Sequence, residues 1–179
     1  MKVLGADTSS KFCSVALLED SRVIKSLGRE NAQGPASILV EMIEEVLRDS
    51  QHKLEDIDAW AVGLGPGSFT GLRVGLSIFK ALAYSTGKPI VGISSLDALA
   101  CNFIDDAYQY ILPLVDARRS FVYSSIYKIK KEKPRRVFRY FLGKLDILLK
   151  KVKGKVIFLG DGLVLHKADI LKAKGIEAK

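Results

Sequence analysis

The chain has 179 residues, 48% hydrophobic and 27% charged, a balance ordinary for a soluble globular protein, with room for one sizeable domain or two small lobes. No apolar run reads as a membrane span: Val74 to Tyr84 is broken by Lys80 and falls short of about 30 Å of hydrocarbon, and Asp7 interrupts the N-terminal stretch that a signal peptide would need. Much of the net charge of +8 lies in Lys128-Ile129-Lys130-Lys131-Glu132-Lys133-Pro134-Arg135-Arg136 and Lys150-Lys151-Val152-Lys153-Gly154-Lys155. These runs read most simply as a solvated hairpin tip and helix end, with salt-dependent phosphate contact as the alternative.

In chain order, Val3 to Asp7 is short, apolar and ends in an acid. Lys11 to Leu18 alternates and is rich in β-formers, and Arg22 to Leu27 follows the turn Glu19-Asp20-Ser21. The three predict a strand meander. Pro35 suits a first helical turn. Behind it Ile38, Leu39, Met42, Ile43, Val46 and Leu47 recur at helical spacing, opposite Glu41, Glu44, Glu45 and Arg48, which predicts an amphipathic helix of about four turns. Ile57 to Leu64 predicts an internal strand. The loop Gly65-Pro66-Gly67-Ser68-Phe69-Thr70-Gly71 opens a second helix, Leu72 to Ser85, which Gly87-Lys88-Pro89 stops. Pro89 to Ile93 is a short strand, and Ser95 caps a third helix toward Cys101. The order βββαβαβα fits a ribonuclease H-like lobe, a mixed sheet with helices on its faces.

A second, smaller lobe begins near Ile104, which gives domains of residues 1–103 and 104–179. Tyr110 to Asp116, Phe121 to Lys128 and Arg136 to Phe141 predict strands. A helix near Lys144 to Lys150, a strand Val156 to Leu159, the turn Gly160-Asp161-Gly162 and a last helix follow. The lobes echo each other. Val3 to Asp7 and Leu112 to Asp116 are both apolar strands ending in Asp, followed after four residues by Phe12 and Phe121. This predicts an α/β fold of two ribonuclease H-like lobes, the second reduced, as in the actin, hexokinase and Hsp70 superfamily.

Candidate chemistry gathers at three turns. Asp7, Thr8 and Ser9 form a nucleotide or anion loop if Asp7 orients a metal-bound water and the hydroxyls hold phosphate; the simpler reading is a tight hairpin that satisfies its own backbone. The matching turn, Asp116-Ala117-Arg118-Arg119, lacks small residues to cradle phosphate, and Asp116 is expected to pair with Arg118 or Arg119. Gly160-Asp161-Gly162 is a weak candidate for an adenosine-side loop. Gly65, Gly67, Ser68, Thr70 and Arg73 lie in a glycine-rich loop that could present N–H groups to an anion, but no Walker lysine follows. The helix behind it is apolar on all sides, with Arg73 and Lys80 its only charges. Such a helix needs cover on every side, from a partner or from the rest of the chain. Cys13 and Cys101 read as buried thiols of a reducing, cytoplasmic compartment. With two histidines, His52 and His166, and no HxxxH, HExxH or CxxC, no metal site is expected.

The segment Gly65 to Gly75, together with Ala6-Asp7-Thr8-Ser9, Cys13-Ser14-Val15-Ala16-Leu17 and Val115-Asp116-Ala117-Arg118 with Val122-Tyr123, resembles the TsaB (YeaZ) family from Met1 to about Gly162. The resemblance implies a two-lobed, actin-like pseudoenzyme with no catalytic residue and no cofactor of its own. Its partners would be a TsaD-type catalytic subunit and a TsaE-type ATPase, with tRNA met indirectly and ATP or ADP held, if at all, at the interface of the complex. It implies that the complex makes threonylcarbamoyladenosine beside the anticodon, and that the chain alone pairs with a second copy. The implied pairing surface is built from the first two helices and includes Met42, Val46, Gly71, Val74, Gly75, Ile78 and Ala81. Two departures stand out. Many members start the first helix with a histidine, where this chain has Gly34-Pro35-Ala36-Ser37. Members also continue with a further helix beyond this length, so the second lobe is expected to be a natural short form or a truncated one.

Overall fold

The computed structural model describes residues 1–30, 35–103, 105, 107–130 and 133–179. Gly34, the expected lobe start at Ile104 and the tip Lys131-Glu132 of the first basic run lie outside the described residues. The chain divides into two compact units, Met1–Ser95 and Leu96–Lys179.

The first unit holds β1 (Lys2–Asp7), β2 (Phe12–Glu19), β3 (Arg22–Glu30), α1 (Pro35–Asp49), β4 (Ala59–Gly63), α2 (Phe69–Thr86) and β5 (Ile90–Ile93). One sheet runs in the order β3-β2-β1-β4-β5. The first three strands are antiparallel neighbours, and β4 and β5 join parallel to β1. Period-2 alternation turns Leu4, Cys13, Val15, Leu17, Trp60 and Val62 into one core with α1 and α2. Helix α1 meets that core through Leu39, Met42, Ile43, Val46 and Leu47, the spacing of an amphipathic helix. Phe79 of α2 stands edge-on to Trp60 with centroids 5.9 Å apart, and the indole N–H donates to Thr86 Oγ1 at 3.0 Å. Each fully buried side chain of this size contributes about 1.5–3 kcal/mol.

Helix α3 (Ser95–Cys101) explains why the division falls at Ser95 rather than after Phe103. Its Ala100 packs with Ile111, Tyr127 and Ile157 of the second unit. Its Asp97 accepts the phenol protons of Tyr127 (2.5 Å) and Tyr140 (2.8 Å). Burial, and then the Asp97 hydrogen bond, hold the Tyr127 hydroxyl well above the ordinary phenol range.

The second unit continues with β6 (Tyr110–Asp116), β7 (Val122–Ser124), β8 (Tyr127–Lys130), β9 (Lys133–Arg136), β10 (Phe141–Gly143), α4 (Leu145–Leu149), β11 (Gly154–Leu159), α5 (Leu163–Lys172) and β12 (Ile176–Ala178). Its sheet runs β10-β7-β6-β11-β12, with β8 beside β6 and β9 beside β8. The topology of the first unit is repeated: a central strand, antiparallel neighbours on one side and two parallel strands on the other. What is reduced is the helical layer, since α4 has 5 residues and α5 has 10. The single strand expected from Phe121 to Lys128 is split at Ser125-Ile126. The split lies opposite Leu112-Pro113 of β6, where Pro113 has no N–H for an antiparallel neighbour. Beyond the split the Ile126 carbonyl accepts from Val137 N–H at 2.8 Å, and the following strand is Lys133–Arg136 and not Arg136 to Phe141. Among the described residues, no helix is long and apolar enough to cross a membrane.

Candidate functional site

The turn after β1 is built from its own donors. Asp7 Oδ1 accepts the N–H of Ser9 at 2.7 Å, an Asx turn. Asp7 Oδ2 accepts the Ser95 hydroxyl at 2.5 Å, and that hydroxyl oxygen accepts Gly65 N–H at 3.1 Å. The Thr8 hydroxyl donates to the Gly71 carbonyl at 2.7 Å. Ser9 offers its carbonyl to Ser68 N–H at 2.6 Å. Thr8 and Ser9 are buried.

The glycine-rich loop closes over this turn. A methyl placed on Gly71 would overlap the Thr8 carbonyl oxygen, and one on Gly75 would overlap the Thr8 hydroxyl. Gly67 is under the same constraint from the Ser9 carbonyl. These glycines therefore permit close approach of two backbones. The N-terminus of α2 is capped from within, because Ser68 Oγ accepts Gly71 N–H at 3.2 Å. A nucleotide phosphate needs space and free N–H donors. Here Gly67, Gly71 and Gly75 sit against the turn and the Ser9 N–H is engaged, so these residues do not fit one. The Cys13 thiol lies buried in the same unit. Burial, and then the Asp7 carboxylate, push it up to about 11.

The turn after β6 repeats the first device without the seal. Asp116 Oδ1 accepts the backbone N–H of Arg118 at 2.8 Å, and Asp116 N–H donates to Asp161 Oδ1 at 3.0 Å. The pairing of Asp116 with Arg118 thus runs through the backbone; among the described residues, no ion pair joins Asp116 to either guanidinium. Arg118, Arg119 and Ser120 are exposed. The Gly160-Asp161-Gly162 turn is held by Gly162 N–H on the Leu114 carbonyl at 3.0 Å, which accounts for it structurally. Among the described residues, no group of three or more His, Cys, Asp or Glu is placed to hold a metal ion.

The expected pairing residues divide into three sets. Met42 and Val46 are fully buried in the core of their own unit and present no surface, because α1 turns them onto the sheet. Gly71 and Gly75 are buried against Thr8. Val74 and Ile78 are half-buried and Ala81 is exposed, one helical turn apart on a single shoulder of α2. Ile78 also packs on the core. Helix α2 is therefore not apolar all round. Its outward face carries Thr70, Arg73, Ser77, Lys80, Tyr84 and Ser85, and the Arg73 guanidinium stacks 3.8 Å from the Phe69 ring centroid. On α1, Val40 is 45% exposed, a surface apolar residue that the helical periodicity did not single out. The other missed residue is Ser95, read as a cap. Its bond to Asp7 spans 88 residues, and no local spacing signals it.

Two sheets of matching strand order, each with an aspartate at the end of its central strand, define an actin-like α/β protein of two ribonuclease H-like units. Comparison with known proteins narrows the class. Residues 30–158 match the family model described as "TsaD: tRNA N6-adenosine threonylcarbamoyltransferase". The "tRNA threonylcarbamoyladenosine biosynthesis protein TsaB" of Bacillus subtilis is 33% identical over 98% of this chain and 79% of that protein. The Escherichia coli protein of the same name is 36% identical over 72% of this chain and 55% of that one. The crystal structure of YeaZ from Pseudomonas aeruginosa superimposes with a TM-score of 0.82 at 25% identity, covering 99% of this chain and 84% of that one. The chain belongs to the TsaB (YeaZ) family.

Proposed function

We propose that this chain is the non-catalytic subunit that binds and supports a TsaD-type enzyme as it transfers the threonylcarbamoyl group to a tRNA adenosine. One observation carries the non-catalytic part of this reading. The strand-end Asp7, which a phosphotransferase would keep free for metal or water, is hydrogen-bonded by Ser9 and Ser95 and packed against Gly63 of β4, while the glycines of α2 close on Thr8 beside it. Family membership and the names of the relatives support the pathway. The pairing surface in this reading is the shoulder of Val74, Ile78 and Ala81, together with the exposed Val40 of α1. The same shoulder takes a second copy when the enzyme is absent. A TsaE-type ATPase completes the set, with ATP or ADP, where one is held at all, at the interface of the complex.

The test is co-purification with the cognate TsaD-type subunit. Val74→Asp/Ala81→Asp avoids Ile78, whose contact with the core would confound folding with binding. The double variant should lose about 1–2 kcal/mol of stability, remain folded, and lose the complex. Equal recovery of the complex would sink the reading. Titration calorimetry of the isolated chain with Mg-ATP should give no binding heat, and saturable binding would favour instead the alternative reading of the strand-end acids, an actin-fold ATP-binding phosphotransferase.

A further inference from the structure

Residues 96–179 carry 18 Lys and Arg against 9 Asp and Glu, whereas residues 1–95 carry 10 against 11. The whole positive excess of the chain lies in the second unit. Net charge of this size works against the compact state by self-repulsion, and its confinement to one unit points to an anionic partner.

Part of this charge is gathered in one place. A depression of about 620 Å³ opens between α4 and α5, where Lys144, Lys150, Lys172, Lys174, Ser120 and His166 line it together with Asp146 and Asp169. Both carboxylates are engaged by cations or imidazole of the same depression. Asp146 Oδ2 lies 3.7 Å from Lys150 Nζ, and Asp169 Oδ2 lies 3.3 Å from His166 Nδ1. Among the described residues, Lys144, Lys172 and Lys174 have no ion-pair partner. His166 is only 5% exposed, and its Nε2 is a buried polar atom without a partner among the described residues. Such an atom is destabilising until a water or ligand oxygen meets it.

We propose that this depression seats backbone phosphates of RNA. Ammonium groups are point charges suited to phosphate. Among the described residues no Phe, Tyr or Trp lines the depression and the His166 ring is buried, so no exposed ring there would stack a base, and the seat reads the backbone and not the sequence. Exposed Lys151, Lys153 and Lys167 add to the field of the same unit. The choice of RNA rests on the proposed role in tRNA modification.

Fluorescence anisotropy of a labelled tRNA with the full chain, over a series of salt concentrations, tests the proposal. Lys144→Gln/Lys172→Gln/Lys174→Gln should weaken binding at low salt by about tenfold or more and lower the log–log salt slope by about 2–3, the share of three phosphate contacts. Lys11→Gln/Arg22→Gln/Lys53→Gln removes the same charge from the first unit and should leave both quantities unchanged. A second-unit variant that matches the parent in affinity and slope overturns the seat. Duplex DNA of similar length bound as tightly as tRNA overturns the assignment to RNA. The second-unit variant should still co-purify with the TsaD-type subunit. A parent chain that associates with that subunit but binds no tRNA overturns the seat and leaves the proposed function standing. A parent chain that binds tRNA through these lysines without associating does the reverse.

Discussion

The turns after β1 and β6 begin with the same backbone device. Asp7 accepts the N–H two residues on, and so does Asp116. From there they part. The first turn continues Thr8-Ser9, is buried, and lies against Gly71 and Gly75 of α2. The second continues Ala117-Arg118-Arg119-Ser120, and its last three residues are exposed with φ of 65°, 52° and 61°. The strand-end acid thus ties its own turn in both places, but only the first turn is also closed over by a helix. The glycine-rich segment, whose composition would also allow it to present N–H groups to an anion, is a seal against the turn after β1.

The seal is broken most directly at Gly71. Gly71→Ala drives a methyl into a backbone carbonyl that cannot rotate away, so the helix must shift. The expected loss is about 3 kcal/mol, the upper end for overpacking, read from the urea midpoint at constant slope. Gly28→Ala on β3, where an added methyl meets nothing within 4 Å, is the control and should change stability by less than about 0.5 kcal/mol. Similar midpoints for the two variants would mean that α2 does not bear on Thr8 as described.

A second, smaller contrast compares the acids themselves. Asp7→Ala strands the buried Ser95 hydroxyl and the Ser9 N–H, and should cost about 2 kcal/mol. Asp116→Ala frees an N–H on an exposed turn that water can reach, and should cost about 1 kcal/mol or less. Paired denaturant curves decide it, and a larger loss at Asp116 would reverse the assignment of structural weight.

Much of this fold was legible because its signals are local. Alternation from Lys11 to Leu18 and helical spacing from Ile38 to Leu47 set β2 and α1 with little shift of boundary. The repeat of an apolar strand, an Asp and a Phe anticipated two sheets of one topology. What failed was non-local or graded. Composition made α2 look apolar on every side, but Ser77, Lys80 and Tyr84 share its outward face with Arg73, and periodicity cannot say which neighbours supply the cover. Met42 and Val46 were expected on a surface although their own spacing placed them on the buried stripe of α1; the resemblance outweighed the pattern. Strand β12 is three residues long after Gly175, too short for alternation to register. The Asp7–Ser95 bond joins the ends of the first unit and leaves no trace in either segment.

Arg119 has φ of 52°, a left-handed conformation that costs a non-glycine residue about 1 kcal/mol or more, with no packing seal to compel it. Glycine adopts that conformation freely but loses more backbone entropy on folding, by roughly 0.5–1 kcal/mol. Arg119→Gly should therefore stabilise the chain slightly, by about 0.5 kcal/mol, seen as a small rise in Tm. The substitution that is harmful in the first turn, a methyl added to glycine, has as its counterpart in the second a side chain removed with gain. A fall in Tm would show that the Arg119 side chain holds its turn in place. The two turns would then differ in the means of restraint and not in its presence.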